Sequence, residues 1–406
     1  MDTATEELRK TVLENARQAM LEGSGDPMSV IVRTVFSHSG SRELEWDELD
    51  SLIRRTYLMT RGKLGILDPL QEDVDVTEIM VNGKDRIFYE KNGKIQRYGL
   101  SFDTTEDLEE VIRNIAGSVH REINELNPIV DARLEDGSRV NGVYKNVALN
   151  GPILTIRKFS GKYITMNDLV GNGTLDRRQA DFLRALVESG YNLFISGGTS
   201  SGKTTLLNAL SDYVPGEERV IVIEDSMELK LSHIENIVHM ECRNANSRGK
   251  GMVTMADLIK TSLRMRPDRI IVGEVRGGEV ADMLQAMNTG HSGSMSTGHG
   301  NSVEGMLKRL ESMYLMAVPL NVEAIRAQIA EGIDVMVHLE RDSRRNRHIA
   351  EMKEVLGYEN GRFILNDLTG EGGIKNLKKA EERSAEHVEI LCRGTGSGDH
   401  PGEDIF

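Results

Sequence analysis

Eight consecutive residues, Gly197-Gly198-Thr199-Ser200-Ser201-Gly202-Lys203-Thr204, match the pattern G-x-x-x-x-G-K-[ST]. A chain of phosphates needs several inward-pointing N–H groups, and a glycine-permissive loop can present them. An apolar run at 192–196 precedes the loop, and a helix-like run at 205–210 follows it. That helix would add the positive end of its dipole to the same spot. In this pattern Lys203 neutralises β- and γ-phosphates and the Thr204 hydroxyl ligates Mg²⁺. Thr205 continues the phosphate-binding stretch. The bland alternative, a Gly/Ser-rich turn, does not require a strand before it and a helix after it.

Two further apolar runs end in acids: 220–223 leads into Glu224-Asp225, and 270–272 into Gly273-Glu274. In open α/β sheets, ligands sit beyond the carboxyl ends of the strands. Glu224 and Glu274 are therefore placed to face a terminal phosphate. One carboxylate can hold Mg²⁺, directly or through water, while the other orients the attacking water. Thr289-Gly290-His291 and Thr297-Gly298-His299-Gly300-Asn301 flank a fourth strand-like run. A metal pair there lacks a third ligand nearby in sequence. A histidine closing a core strand can instead sense a γ-phosphate, the alternative being a purely structural imidazole.

The elements that must position these residues follow from pattern. Strand-like runs at 192–196, 219–223, 269–272 and 294–297 alternate with helical stretches, and Phe182, Leu183, Leu186 and Val187 mark a helix before them. That alternation predicts a parallel α/β sheet. Runs at 334–339, 348–355 and 362–365 read as an antiparallel addition. Upstream, strands at 77–81 and 86–90 are joined at Asn82-Gly83, Asn92-Gly93 opens another turn, and Asp136-Gly137 separates runs at 129–134 and 139–143. Leu108, Val111, Ile112, Ile115 and Val119 form a helical stripe between them. The expected organisation is a helical segment at 1–65, an α+β domain at 66–160, a polar, Gly-rich linker at 161–175, the α/β domain at 176–370 and a flexible tail at 371–406. In the first segment Gly23, Gly25 and Pro27 would end one helix, and Leu44, Leu49, Leu52 and Ile53 suggest another.

Bulk composition narrows the classes. The net charge of −14 gives the 406-residue chain no overall electrostatic footprint for nucleic acid or an anionic membrane. No apolar run approaches the roughly 20 residues a spanning helix needs. Cys242 and Cys392 lie far apart and outside any metal-ligand spacing, which fits a reducing compartment. The expectation is a cytoplasmic protein that contacts a membrane only through partners and binds no nucleic acid directly.

In combination, these stretches resemble the type II/IV secretion ATPase superfamily. The resemblance rests on residues 197–205, Ile223-Glu224-Asp225 with Glu228, Leu263-Arg264-Met265-Arg266-Pro267-Asp268-Arg269, Gly273-Glu274-Val275-Arg276-Gly277 and the two Thr-Gly-His segments. In that family the functional boxes are Walker A, the Asp box, Walker B and the His box. Val81-Asn82-Gly83, Pro128-Ile129-Val130-Asp131-Ala132-Arg133-Leu134, Asp136-Gly137-Ser138-Arg139-Val140-Asn141 and Leu154-Thr155-Ile156-Arg157-Lys158-Phe159 look like the CpaF branch, which serves Tad-type pili. The likeness spans roughly residues 70–365.

The resemblance implies a RecA-like P-loop ATPase domain, a smaller α+β N-terminal domain and a homo-hexameric ring working on an inner-membrane platform protein. By it, Glu274 is the catalytic Walker B carboxylate, Glu224 supports Mg²⁺ and water, and His299 couples nucleotide state to domain position. Arg139 and Arg157 match arginines that reach the phosphates, and Arg133 is a further candidate. Two departures stand out. Ser200 occupies the place of a third Walker A glycine, and the His box reads Thr-Gly-His-Gly-Asn where Thr-Ile-His-Ala-Asn is common. Gly298 and Gly300 would loosen the backbone around His299.

The expected mechanism is ATP binding between domains, then reopening across 161–175 once hydrolysis removes the γ-phosphate contacts. Such a motor would drive assembly of, or secretion through, a Tad/type IV-like pilus. Pilus retraction or type IV secretion traffic is the alternative within the superfamily. A nucleic-acid motor and a non-hydrolysing scaffold are the rivals outside it.

Overall fold

A computed structural model describes residues 3–22, 26–159, 163–243, 245, 249–343, 346–370, 373–374 and 377–378. The chain divides into two compact units, residues 1–162 and 163–406.

The first unit opens with three helices, α1 (Thr3–Glu22), α2 (Pro27–Ser37) and α3 (Trp46–Arg61). Leu8, Val12, Ala16, Ile31, Val35, Leu49 and Leu52 form their shared core. Pro27 starts α2 as well as following the end of α1. It occupies the first turn, where a missing N–H costs nothing, and the Asp26 carboxylate caps the Ser29 amide at 3.0 Å. The short α4 (Asp68–Glu72) leads to β1 (Val76–Asn82), β2 (Ile87–Lys91), β3 (Lys94–Arg97), α5 (Thr105–Ser118), β4 (Ile129–Arg133), β5 (Arg139–Val143) and β6 (Ile153–Arg157). The six strands form one antiparallel sheet in the order β3-β2-β1-β6-β5-β4. Asn92 and Gly93, both at positive φ, close the β2–β3 hairpin. A Thr104/Asp107 capping box starts α5. Its Leu108, Val111, Ile112 and Ile115 are buried in one core with Ile79, Val81, Val130, Val140, Leu154 and Ile156. The residues alternating with these strand positions include Arg133, Arg139 and Arg157.

The second unit contains α6 (Met166–Gly171), α7 (Arg177–Glu188), β7 (Leu193–Gly197), α8 (Lys203–Ser211), β8 (Val220–Glu224), β9 (Ile237–Glu241), α9 (Met255–Ser262), β10 (Arg269–Val275) and α10 (Val280–Asn288). It continues with β11 (Met295–His299), α11 (Val303–Ala317), α12 (Val322–Gly332), β12 (Val335–Arg341), β13 (Arg347–Glu359) and β14 (Arg362–Asp367). Eight strands run in the order β14-β13-β12-β7-β11-β10-β8-β9. Strands β12 to β9 in that order are parallel, and β13 and β14 are antiparallel. Buried residues on both faces pack against the helices, so the central strands read as continuous apolar runs.

Two expectations are corrected, and one strand is added. The stretch 161–175 is not simply a linker: Thr165 and Asp168 form a capping box for α6, and Met166, Leu169 and Leu175 are buried in the core of the second unit. Residues 161 and 162, where the linker reading also falls, lie outside the described residues. The run at 334–339 is not antiparallel to the sheet's centre; β12 runs parallel to β7, with Leu339 beside Gly197. Strand β9, not anticipated at all, extends the sheet beyond β8. Most of the tail at 371–406 lies outside the described residues, though Leu377 is buried. Among the described residues no helix is long and apolar enough to cross a membrane.

Candidate functional site

The parallel strands end on one edge, and the ends of β7, β8, β10 and β11 bring Gly197, Glu224, Glu274 and His299 there. The loop 197–204 leaves β7 and turns into α8 at Lys203. Gly202 takes φ +99° just before the helix, a conformation that favours glycine. Gly197 has another reason to lack a side chain. A Cβ there would stand 2.5 Å from the Leu339 carbonyl oxygen and 2.5 Å from Ser201 Oγ. Ser200 holds φ +59°, so a serine adopts the left-handed geometry at the position where the sequence departs from glycine.

Lys203 is buried, and its Nζ donates to the carbonyls of Gly197 at 3.2 Å and Gly198 at 3.0 Å. The same ammonium lies 3.4 Å from His299 Nδ1, and His299 Nε2 is 2.8 Å from Glu274 Oε1. A continuous polar chain thus runs from Lys203 through His299 to Glu274. Burial, and then the Lys203 charge, hold the His299 pKa below its ordinary value, against the opposing pull of Glu274. A ring unprotonated at Nδ1 can accept from Lys203 while its Nε2 faces the carboxylate.

Glu274 is held from the other side by Arg276. Its Oε2 accepts from Nη2 at 2.6 Å and from Nε at 3.0 Å, and Arg276 Nη1 reaches Asp225 Oδ2 at 3.1 Å. Arg276 belongs to a stretch noted in the sequence, yet nothing there pointed to this role. Glu224 is buried beside Gly273, where any Cβ would come within 2.9 Å of its Cγ. Its Oε1 accepts from the amides of Glu228 at 2.9 Å and Leu229 at 3.2 Å, so this carboxylate anchors the turn after β8. Thr297 Oγ1 donates to the Gly273 carbonyl at 2.7 Å and ties β11 to β10.

The glycines around His299 are closely packed. A Cβ on Gly298 would lie 2.9 Å from both Met306 Cε and Phe194 Cζ, and one on Gly300 would lie 3.0 Å from Met306 Cβ. They let the strand lie flush on α11 and β7. His291 is not part of the site: it precedes β11 at the opposite end from His299, with Nδ1 3.1 Å from the Ala286 carbonyl. Among the described residues no cluster of three or more His, Cys, Asp or Glu could hold a metal ion. Thr204 and Thr205 are half-buried in the first turn of α8, and Ser201 Oγ is buried without a partner in the loop wall. Cys242 is half-buried, and burial raises its thiol to a pKa of about 11. Cys392 lies outside the described residues.

The three arginines belong to the first unit. Arg133 stands opposite Arg139, and Arg139 opposite Arg157, on adjacent antiparallel strands, with Glu78 next in the row. Directly paired positions share a face, and like charges so placed repel.

A family profile described as "Type II/IV secretion system protein" matches residues 63–388. The chain is 34% identical to the conjugal transfer protein TrbB of Rhizobium radiobacter over 297 residues, 72% of this chain and 87% of that one. It is 44% identical to an uncharacterized protein of Methanocaldococcus jannaschii over 260 residues, covering 61% of this chain and about a third, 35%, of that longer protein. Among solved structures, that of the pilus retraction motor PilT with bound ADP matches at TM-score 0.52 and 20% identity, covering 81% of this chain and 87% of that one. The ATPase DotB of Legionella pneumophila matches at TM-score 0.50 and 19% identity, covering 81% and 86%. At these identities the structural likeness speaks for the fold.

Proposed function

The chain belongs to the Type II/IV secretion system protein family, and on that premise we propose that it is a Mg²⁺-dependent ATPase motor. One observation carries this reading: the loop 197–204, at the start of α8, is joined to the Glu274 carboxylate by Lys203 and His299. Lys203 exchanges its loop carbonyls for β- and γ-phosphate oxygens. The amides of residues 198–205 supply the remaining donors. The Thr204 hydroxyl, with Glu224 and Glu274 directly or through water, would hold Mg²⁺, which supplies charge neutralisation to the phosphates. Glu274 orients the attacking water. His299, neutral and in contact with both Lys203 and Glu274, registers whether the terminal phosphate is present. Arg139 and Arg157 are assigned to phosphate recognition, with Arg133 beside them. Their place in the upstream motifs supports that assignment.

The wider role is assembly of a Tad/type IV-like pilus, or secretion through a related machine, by a homo-hexameric ring at the cytoplasmic face of the membrane. An inner-membrane platform protein is its partner. The CpaF-like segments upstream of residue 160 support pilus assembly. The relatives named as conjugal transfer proteins favour type IV secretion traffic as the second reading. Phosphate release by the purified chain, with and without Lys203→Ala, tests the common core of both. Loss of turnover in the variant is expected, and undiminished turnover would refute the site. Loss of pilus subunits or of conjugative transfer in a deletion strain separates the two roles.

A further inference from the structure

Strands β12 and β13 form a hairpin that projects beyond the phosphate-loop edge of the sheet, with Leu339 beside Gly197 and Arg347 opposite Arg341 across its neck. From this hairpin Arg347 reaches the loop. Its Nε donates to the Ser200 carbonyl at 3.1 Å, and a Cβ built on Gly202 would touch Arg347 Cδ at 3.3 Å. The guanidinium therefore lies along the two loop residues with left-handed backbone, Ser200 at φ +59° and Gly202 at φ +99°. Glycine adopts that geometry freely, but a residue with a Cβ is strained in it. Ser200 immediately precedes Ser201, whose amide closes back on the Gly198 carbonyl at 3.4 Å. If Ser200 relaxed to negative φ, its carbonyl would turn and the amides after it would lose their common direction.

We propose that Arg347 is a positioning residue for the phosphate loop, holding the Ser200 peptide in the left-handed conformation that a glycine would take unaided. A charge-assisted hydrogen bond from a guanidinium to a carbonyl opposes that strain, even at an exposed position. The hairpin thereby becomes part of the nucleotide site without touching the reacting atoms. This inference rests on reading the loop as an ATP site.

The test is a two-by-two comparison of wild type, Arg347→Ala, Ser200→Gly and the double variant. It reads ADP affinity by calorimetry and the KM and kcat for Mg·ATP, with thermal melts to verify folding. Arg347→Ala is expected to weaken ADP binding and raise KM by about tenfold, with a smaller change in kcat, as loss of up to 1–2 kcal/mol of loop ordering predicts. In the Ser200→Gly background the same substitution should change affinity by less than about twofold, because glycine needs no clasp. Unchanged affinity in Arg347→Ala would overturn the proposal. So would an equal loss in both backgrounds, which would make Arg347 a direct ligand contact. Should Arg347→Ala fail to fold, Arg347→Gln, which keeps the stem but not the guanidinium, replaces it in the same comparison. Wild type that binds no nucleotide would instead refute the ATP-site reading itself.

Discussion

Glu274 and Arg276, two residues apart at the end of β10, form a two-point ion pair in which one carboxylate oxygen accepts from both Nη2 and Nε. The pair fixes the carboxylate's plane, and His299 meets its other oxygen at 2.8 Å. Glu274→Gln keeps the shape but removes the charge and the ability to take a proton. ADP affinity should stay within about threefold of wild type, while kcat falls by about 10²–10⁴, the range for removing a general base. Steady-state phosphate release with parallel calorimetry checks this. Equal losses in affinity and turnover would remove Glu274 from the chemical step.

His299→Ala breaks the chain between Lys203 and Glu274 without touching the loop backbone. Nucleotide should still bind. ATP and ADP affinities should move closer together, because the group that distinguishes a terminal phosphate is gone. Competition of both nucleotides against a fluorescent analogue gives the ratio. An unchanged ratio would leave His299 a structural imidazole.

His338 is buried on β12 with its Nδ1 2.8 Å from Ser196 Oγ, and burial holds its pKa below the ordinary 6.5. Above that ordinary value the ring is neutral whether the chain is folded or unfolded, so stability does not depend on this group. As pH falls below it, the unfolded chain takes up the proton first and stability drops until the folded-state value is passed. The urea midpoint should therefore fall between about pH 7 and about pH 5.5, and His338→Gln should flatten part of that slope. His299, lowered chiefly by burial too, accounts for a remainder. A slope identical in the variant would contradict the assignment.

Arg269 is buried at the start of β10, bonded twice to Glu218 at 2.8 Å and once to the Val187 carbonyl at 3.0 Å. Arg269→Ala leaves Glu218 and a carbonyl without their donor. The cost should be about 3 kcal/mol, the low end for removing one member of a buried pair, since Glu218 keeps 23% of its side chain exposed. Denaturant unfolding measures it. A change under about 1 kcal/mol would mean that the pair behaves as a surface bridge.

The site's centre was legible because its chemistry is local. A phosphate loop is a contiguous run, and Glu224, Glu274 and His299 each close an apolar strand. The rest depends on distance in sequence. Arg276 appears as one residue of a motif, and only the fold puts its guanidinium on Glu274. Arg347 lies far along the chain from Ser200, and nothing in its neighbours links the two. Strand β9 is a half-exposed edge whose Ile237, Val238 and Met240 make no clean alternation; its pairing with β8 supplies what pattern lacks. Helix α6 is a single capped turn or so, and the burial of Met166 and Leu169 outweighs the glycines that suggested a linker.

Phe194, Gly298 and Met306 come from a strand, its neighbour and a helix, yet they occupy one shared volume. No one of the three positions can drift alone in descent. A lineage that acquires isoleucine before this histidine must already carry a smaller residue at 194 or 306, so these columns should change together when related chains are aligned.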